Sequence, residues 1–438
     1  VTTKRGKGDS HCPRDFSYKD ATKQLDVSGM DAVIGLRQLD DGGWEMLVEP
    51  RVTMEQLVRA AAPYNLRPPV VPEFRKITVG GSIAGVAGES SSFKHGFFHD
   101  ACTGYEVVTG DGSIITATPD NQYADLFFGM PGTYGSLGLV TAATIRLVPT
   151  EGFVGMSYTH FDRVQDVVSY MADASLRPAI DFVEAIGYSP SSFVACEGME
   201  VSRASAEAGV YGKMRRYNRF YSPWFFRNVQ KKRGEMVRDP SAVGEVIPLE
   251  DYLFRHDRGS FWMASYKMPS LVGRALGFLL PSHRMYRLAT ALPKVFKKSE
   301  ILLQDFMIPF PNVGEFVNRL NNHLGVWPLW FCPLKNYGAP GPIFGVPLNL
   351  GDYCNVGAYG IPRRKVFEFE EDNKRMEMDM LSLDGRKVHY SHAYYPVDLF
   401  YDTIYDGHKY GALRDKYKAD GVFPHVYDKI ITKPGKLY

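Results

Sequence analysis

The passage from Thr78 to Gly96 has the residue types that suit the binding of a pyrophosphate group. It begins Thr-Val-Gly-Gly and runs through two more glycines to three consecutive serines, Ser90 to Ser92. Glycine allows backbone amides to approach an anionic ligand closely, and serine hydroxyls supply further donors. The passage is not a P-loop, because no Gly-Lys-Ser/Thr follows it, and it fits the Rossmann fingerprint poorly, because the preceding strand is very short. At this level, a flexible glycine-rich loop is the alternative.

The elements around this passage predict a mixed domain of strands and helices. Thr53 begins a capping-box pattern that opens a helix. Residues 105–117 form two strand-like runs joined across Gly110-Asp111-Gly112, which predicts a hairpin. A turn-rich loop then leads into a long strand over 139–148, which ends at a proline. We therefore predict a first domain over residues 1–149.

The rest of the chain predicts a second α+β domain. Strand and helix patterns alternate from 152 to 196, and a comparable order recurs from 313 to 381. Between them, residues 211–300 are basic and aromatic and indicate no clear fold. We predict a cap domain over 150–395 that this segment interrupts. Over 396–438 we predict a helical segment that returns to the first domain.

The composition is that of a globular protein with a large apolar interior. Of the 438 residues, 45% are hydrophobic, 23% are charged and 13% are aromatic, which favours a pocket for a flat, apolar ligand. The net charge of +2 gives no field that attracts nucleic acid, and we expect no nucleic-acid partner. The five cysteines are scattered and form no Cys-x-x-Cys pair, so we expect no disulfide framework and no metal site.

The order of these motifs resembles that of a known family. The run from the glycine-rich passage to the long strand is similar to the FAD-binding domain of vanillyl-alcohol-oxidase-type flavoproteins. Glu73-Phe-Arg-Lys-Ile-Thr-Val-Gly-Gly and Glu89-Ser-Ser-Ser-Phe-Lys-His-Gly resemble segments of the delta-24-sterol reductases. Segments of the cap resemble the same family: Tyr221–Phe226, Ile247–Tyr252 with Arg255-His256, Val326–Pro333, Gly357–Pro362 and Phe423–Lys429.

The resemblance implies a fold, a reaction and a set of cofactor-binding residues. The fold is a two-subdomain FAD-binding domain, here with its N-terminal strands missing, followed by an α+β cap. The reaction is reduction of a carbon–carbon double bond in a sterol side chain by FAD, which NADPH reduces. The residues expected at FAD are Thr78, Val79, Gly80, Gly81, Ser82, Gly85, Gly88, Glu89, Ser90, Ser91, Ser92, His95, Gly96, Gly138, Val140 and Thr141.

Such a reduction needs a general acid, because the carbon that does not receive the hydride must take up a proton. Tyrosine, histidine or lysine can supply it, and the cap segments offer several. The candidates are Tyr359, Tyr390, His392, Tyr395, Arg255 and His256. The alternative for the tyrosines is half-buried packing on cap strands, and the alternative for Arg255-His256 is a surface or ion-paired dipeptide.

Membrane association is expected from one segment and from the substrate. The apolar run 271–280 is followed by basic residues as far as Lys298. This order suits the surface of an anionic bilayer, and a core helix with a solvated basic end is the alternative. A water-poor substrate favours peripheral association, and the resemblance implies the cytosolic face of the endoplasmic reticulum membrane. Because Val1 is not an initiator methionine, an upstream anchor is compatible with the sequence.

Three other interpretations stay open at this level. An oxidase or dehydrogenase of an alcohol or lactone would share the flavin half and differ in the cap. A non-catalytic subunit would keep the fold for binding alone. A covalent link from His11 to FAD is the alternative to the non-covalent binding that we predict.

Overall fold

The protein folds as an α+β structure, as predicted. The computed structural model describes residues 1–4, 12–14, 16–219, 221–236, 244–266, 281–291, 298–347, 349–363 and 367–432. Within these residues, one apolar core runs through both large β-sheets and joins them.

The first large sheet comes from the N-terminal third of the chain and has the spatial order β3-β4-β8-β6-β7, with β5 paired to β8. A small parallel pair, β1 (Thr2–Thr3) and β2 (Gln24–Leu25), precedes it. The strands of this first large sheet are β3 (Val33–Gln38), β4 (Trp44–Val48), β5 (Leu66–Arg67), β6 (Cys102–Val108), β7 (Ile114–Ala117) and β8 (Leu139–Pro149). The predicted hairpin is confirmed by the antiparallel pairing of β6 with β7. The predicted long strand is β8, which ends at Pro149.

The second large sheet unites the two similar halves of the cap. Its order is β12-β13-β9-β11-β10-β15-β16-β14-β17. The strands are β9 (Phe153–Phe161), β10 (Phe182–Ser189), β11 (Ser192–Val201), β12 (Lys213–Met214), β13 (Glu245–Pro248), β14 (Leu302–Pro309), β15 (Leu329–Leu334), β16 (Tyr353–Gly360) and β17 (Arg386–Lys387). The halves join where β10 pairs with β15, Ala185 opposite Phe331. The segment 211–300, for which the sequence indicated no fold, adds β12 and β13 to one edge.

Helices connect and cover the strands. The α-helices are α1 (Met54–Ala61), α2 (Val79–Gly85), α3 (Ser92–His95), α4 (Ala124–Gly129), α5 (Val164–Ser175), α6 (Arg203–Glu207), α7 (Phe225–Met236), α8 (Leu249–Leu253), α9 (Ser282–Ala291), α10 (Val313–His323), α11 (Phe369–Leu381), α12 (Gly407–Lys416) and α13 (Val426–Ile430). Short 3₁₀ helices lie at Ser17–Lys19, Ala62–Tyr64, Phe98–Ala101, Met263–Tyr266, Lys298–Glu300 and Phe310–Asn312, and a π-helix at Leu399–Ile404. The predicted capping box of α1 is present, since Thr53 N donates to Gln56 Oε1 at 2.9 Å and Gln56 N donates to Thr53 Oγ1 at 3.3 Å.

The glycine-rich passage differs from the loop that its composition suggests, because its first part is the helix α2. Thr78 caps this helix, its Oγ1 accepting a hydrogen bond from Gly81 N at 3.2 Å. Gly80 has to lack a side chain, since an added Cβ would lie 2.9 Å from Pro50 Cβ. The helix stops at Val86, whose φ of 52° is left-handed. A capping threonine and close packing on the preceding loop therefore outweigh the low helix propensity of glycine.

The C-terminal segment folds back onto the first sheet. Arg414 Nη1 donates to Ser136 O at 2.6 Å, and Tyr410 OH to Ser136 Oγ at 2.8 Å. Lys429 Nζ donates to Gly135 O at 2.8 Å. The domain bounds predicted from the sequence stay predictions, and the gap between Pro149 and Phe153 is where the first sheet ends and the second begins.

Candidate active site

Two adjoining cavities lie beside α2, the larger one towards the cap sheet and the smaller one towards the N-terminal residues and the start of β8. The larger has a volume of about 220 Å³ and the smaller about 150 Å³. Their shared wall consists of Arg51, Thr78, Gly81, Ala84 and Tyr134. Because Thr78, Gly81 and Ala84 are spaced three residues apart, one face of α2 runs between the two cavities. The arrangement suits a long ligand that passes over this helix from one cavity to the other.

The larger cavity has mainly apolar walls with a polar group at one side. Its apolar lining comes from α2, the loops before and after it, and the cap: Phe74, Phe97, Phe261, Met263, Leu303, Met307, Trp330, Leu334 and Val388. Its polar lining includes Glu73, Ser260, Asp305, Asn355, Tyr359 and Tyr390. Such a surface accepts a flat, apolar molecule and leaves a few polar atoms to orient it.

A ligand can come close to the helix α2, but few backbone amides of this helix are free to donate hydrogen bonds to it. Gly81 borders both cavities, and a Cβ added there would lie 3.0 Å from Thr78 Oγ1 and within 4 Å of no other side chain that the structure describes. The space beside Gly81 therefore belongs to the cavities. Val79 N donates to Val52 O at 2.9 Å and Gly80 N to Pro50 O at 2.8 Å. These two predicted amides are thus engaged within the protein, and the small side of the helix is what a ligand meets.

The predicted residues on either side of α2 fall into two groups. Ser82, Gly85 and Gly88 line the larger cavity, whereas Gly80, Gly138 and Val140 line the smaller one. The others lie outside both walls. Among these, the side chain of Thr141 donates to Glu106 Oε1 at 2.6 Å, and Val79, the first residue of α2, is fully buried.

The segment Glu89–Ser92, which contains the three serines, forms hydrogen bonds with the cap. Glu89–Ser92 is buried, and its carbonyls accept hydrogen bonds from cap strands: Val183 N donates to Ser90 O at 2.8 Å and Lys335 N to Ser92 O at 3.0 Å. His95 lies beyond it, where burial and the charge of Arg67 lower its pKa to about 4. Gly96 follows with a φ of 71°. The segment therefore fixes the loop next to Gly88 against the cap.

The smaller cavity contains a buried arginine that the sequence did not single out. Arg14 is 3% exposed, and its guanidinium lies 4.2 Å from the centre of the Tyr134 ring. Among the described residues, its Nε and Nη1 atoms have no hydrogen-bond partner. A buried cation without hydrogen-bond partners is unfavourable unless an anion binds to it, because nothing else compensates the loss of its hydration. Arg14 is therefore a candidate partner for a pyrophosphate in this cavity.

Two of the predicted tyrosines meet at one carboxyl group in the larger cavity. Tyr359 OH donates to Asp305 Oδ1 at 2.6 Å, and Tyr390 OH donates to Asp305 Oδ2 at 2.7 Å. Asn355 Nδ2 adds a third bond to Oδ1 at 2.6 Å. Burial raises the pKa of Asp305, and these three donors oppose that rise. Sequence reasoning missed Asp305, although a carboxylate in the middle of the apolar strand β14 was a usable signal.

A second carboxyl group, Glu73, lies in the same cavity wall. Its side chain is partly exposed to the cavity. Burial raises the pKa of Glu73 to about 8, with its own backbone hydrogen bond opposing and the charges of Glu89 and Asp305 adding to the rise. Glu73 belongs to the first motif that resembles the reductases, yet its residue type gave no reason to single it out.

Arg255 and His256 lie behind the cavity wall. Arg255 Nε donates to Glu184 Oε1 at 2.7 Å, and its Nη2 donates to Glu89 Oε1 at 2.8 Å. Glu184 Oε2 pairs with His256 Nε2 at 2.9 Å and accepts from Trp330 Nε1 at 2.7 Å. Ligand atoms of both carboxyl groups and of the imidazole lie within 4.8 Å of one another, and the guanidinium donates hydrogen bonds to both carboxyl groups. The network fixes Trp330, whose ring lines the cavity.

A strained turn brings Phe261 into the cavity wall. Gly259, Ser260 and Phe261 have consecutive φ values of 79°, 47° and 59°. Positive φ is costly for a bulky residue and persists where the surroundings enforce it. Here the Phe261 ring stacks on His256 at 4.1 Å, and Phe261 N donates to His256 O at 2.9 Å. The buried network therefore positions a second aromatic wall.

Tyr395 and His392 lie away from both cavities. The Tyr395 ring is buried, with the centres of the His389 and Phe400 rings 6.2 and 6.4 Å away. His392 Nδ1 is 3.2 Å from Thr432 Oγ1. Their roles as proton donors stay predictions, and their position gives them no direct contact with the cavity.

Two expectations fall on residues outside those that the structure describes. One is the covalent link from His11, whose neighbour Cys12 lines the larger cavity. The other is the membrane segment, of which 271–280, Lys294 and Lys297 are not described. Among the described residues, none of the helices has the length and apolar character that crossing a bilayer requires.

Comparison with known proteins assigns the family. Residues 2–118 match the model of a family described as FAD binding domain. Delta(24)-sterol reductase of Homo sapiens is 30% identical over 420 residues, which cover 94% of this chain and 78% of that protein. The chain belongs to the Delta(24)-sterol reductase family. Delta(24)-sterol reductase of Arabidopsis thaliana is 31% identical over 422 residues, covering 89% of this chain and 73% of that protein. Decaprenylphosphoryl-beta-D-ribose oxidase of Mycolicibacterium smegmatis is 33% identical over 125 residues, covering 28% and 27%.

The predicted resemblance is thus confirmed, and the protein is an FAD-dependent oxidoreductase of the Delta(24)-sterol reductase family. The cavities fit FAD on their own evidence. Gly81 leaves the shared wall open, Arg14 presents unpaired donors in the smaller cavity, and the larger cavity has the aromatic walls that a flat ring needs. Bound FAD is the anion that Arg14 would meet.

Replacing Arg14 with methionine is expected to separate cofactor affinity from stability. Methionine keeps an unbranched side chain but removes the guanidinium that lies over Tyr134, and with it a charge that is buried without an anion. The flavin-free protein should therefore be as stable as before or more stable, while FAD binds about 10- to 100-fold more weakly, the effect of losing one or two charged hydrogen bonds. Thermal unfolding with and without FAD measures both. Arg203→Met, at an exposed site, should change neither; an unchanged FAD affinity in Arg14→Met would exclude the contact.

Proposed function

We propose that this protein reduces a carbon–carbon double bond in the side chain of a sterol, with NADPH as the electron donor. The observation that carries the proposal is the large apolar cavity across α2 from the smaller cavity, with one cluster of polar atoms in its wall. It suits a flat, water-poor molecule whose reacting carbons lie beside the cofactor. The relatives that are Delta(24)-sterol reductases support the same substrate class.

The residues divide this task. Bound FAD would supply the hydride. The residues proposed to hold it are those of the predicted set that line the cavities: Thr78, Gly80, Gly81, Ser82, Gly85, Gly88, Gly138 and Val140. Phe261 and Trp330 would orient the apolar substrate and exclude water, which strengthens polar interactions in the site. Asp305 with its two tyrosines would fix the polar side of the cavity.

The test is to separate the two half-reactions under anaerobic conditions. We expect NADPH to remove the flavin absorbance of the purified protein and a sterol with an unsaturated side chain to restore it. Oxygen should restore the flavin absorbance only slowly, because in a reductase the alkene, and not oxygen, is the electron acceptor. Stopped-flow absorbance follows each step, and a sterol with a saturated side chain is the matched control. Rapid reoxidation by oxygen with no response to any sterol would favour an oxidase of an alcohol or lactone.

We also propose that the protein works at the cytosolic face of the endoplasmic reticulum membrane. The support is chemical. A sterol partitions into bilayers, so an enzyme that acts on it reaches its substrate by docking on the bilayer surface. Flotation with vesicles that contain acidic lipid, at low and high salt, tests the docking, since salt screens the basic contribution.

A further inference from the structure

The proposed reduction needs one proton, and Tyr359 and Tyr390, two of the tyrosines that line the larger cavity, are poorly placed to give it. The hydroxyl protons of Tyr359 and Tyr390 are both directed at the carboxyl of Asp305, at 2.6 and 2.7 Å. If either tyrosine lost its proton, a phenolate would lie against that carboxyl group. Burial and the charge of Asp305 accordingly raise the pKa of Tyr359 well above its ordinary range. A donor that weak loses most of the advantage of general acid catalysis.

Glu73 is placed differently. In the part of the chain that the structure describes, no lysine or arginine forms an ion pair with it, and its carboxyl group lies in the wall of the same cavity. The nearest basic residues along the chain are engaged elsewhere, since Arg75 binds Glu55 and Glu250 and Lys76 binds Glu55. A carboxyl group without a cation in an apolar cavity keeps its proton.

The groups that act electrostatically on Glu73 come from several elements. Glu89 and Asp305 disfavour its ionisation, and Arg255 favours it. Three tyrosines interact with it as well: Tyr286, Tyr359 and Tyr390. Arg255 forms ion pairs with Glu89 and Glu184. Because these carboxyl groups offset its positive charge, Arg255 stabilises the ionised form of Glu73 only weakly. The carboxyl group of Glu73 is therefore neutral at pH 7.

We propose that Glu73 is the proton donor of this reaction. The inference rests on the proposed function and adds a residue to it. The hydride brings its electron pair to one carbon of the double bond, and the π pair moves to the other carbon. That carbon forms a bond with the proton of the Glu73 carboxyl group, which is left as a carboxylate. Glu73 takes a proton from water before the next turnover, so that each cycle consumes one hydride and one proton.

The inference predicts a pH dependence with a definite sign. Glu73 must be protonated to act, and its pKa is raised to about 8. The sterol half-reaction should be fast below that pH and slow progressively above it, as the carboxyl group ionises. The reduction of the flavin by NADPH requires no proton from this group and should lack this inflection.

The decisive variant is Glu73→Gln, which keeps the shape of the side chain and removes the acid. We expect the sterol half-reaction to slow by about 10²- to 10⁴-fold and to lose the inflection near pH 8. Flavin content and reduction by NADPH should stay within about twofold of the parent, since the amide occupies the same space. Glu151→Gln, at an exposed glutamate, is the matched control. A larger loss in Tyr359→Phe than in Glu73→Gln would overturn the inference in favour of the tyrosine.

A measurement on the flavin-free protein tests the same residue without turnover. Infrared spectra at increasing pH should contain a protonated-carboxyl band that disappears near pH 8, is absent from Glu73→Gln and persists in Asp305→Asn and Glu151→Gln. A band that is identical in Glu73→Gln would refute the assignment. If the parent protein binds flavin and contains the band but responds to no sterol, the proposed function fails and the protonated state of Glu73 stands.

Discussion

Gly81→Val is expected to give a folded protein that does not retain flavin. Gly81 is part of the wall shared by both cavities, and an added Cβ would lie 3.0 Å from Thr78 Oγ1 with no other described side chain within 4 Å. The two methyl groups of valine would therefore extend into the space of the ligand. Overpacking of this kind costs about 1–3 kcal/mol, which corresponds to roughly 10- to 100-fold weaker FAD binding.

The absorbance of the purified variant and titration of the flavin-free protein with FAD check this expectation. Gly411→Val is the matched control, because Gly411 also lies within a helix and an added Cβ there meets no side chain within 4 Å in the described part of the chain. Both variants pay the same helix-propensity cost of exchanging glycine for valine, so only a difference in flavin affinity is informative. Equal flavin content in the two would exclude the shared wall as the cofactor path.

The second large effect is expected from Arg255→Met, which should lower the free energy of unfolding by about 3–5 kcal/mol. The guanidinium is fully buried and pairs with Glu184 at 2.7 Å and Glu89 at 2.8 Å. Its removal leaves two buried carboxyl groups with His256 as the neighbouring base. Because Glu89 follows a cavity residue and Glu184 holds the Trp330 indole, the cavity should loosen as well.

Urea unfolding with the flavin-free protein measures the loss, and Arg203→Met, at a 74% exposed side chain, should change stability little. Adding Glu184→Gln to Arg255→Met should recover part of the stability, because glutamine still accepts a bond from the Trp330 indole without a buried charge. Undiminished stability in Arg255→Met would mean that water or relaxation replaces the guanidinium.

Sequence reasoning predicted the elements better than the contacts. The capping box of α1, the hairpin of β6 and β7 and the end of β8 at Pro149 follow from local residue patterns, and the structure has all three. These three features can be predicted from local patterns because each depends on turn residues and on the alternation of apolar and polar residues over a short stretch of chain. The helical state of α2 was missed, since its glycines have low propensity and its stability depends on the loop at Pro50 and Val52.

The candidate site could be predicted only where its chemistry is local. Four of the cavity-lining glycines, Gly80, Gly81, Gly85 and Gly88, lie in one motif, so their proximity could be predicted. The carboxyl groups Asp305 and Glu73 are far apart in the chain, and only the tertiary fold brings them into one cavity. Arg14 lies in a region without a regular pattern, and a buried cation cannot be distinguished from a solvated one by its type. Arg255 and His256, which the sequence offered as candidate proton donors, lie behind the cavity wall, and that role stays a prediction.

The return of the C-terminal segment has a consequence for biosynthesis. The smaller cavity is lined by residues from both ends of the described chain, including Thr2 and Phe423, and Lys429 binds the carbonyl of Gly135. A ribosome exposes the first sheet long before it releases α12 and α13. The nascent flavin half therefore lacks one wall of its cofactor site throughout translation. Cofactor loading should accompany the last step of folding, and protein made in flavin-starved cells should expose its C-terminal helices to proteases.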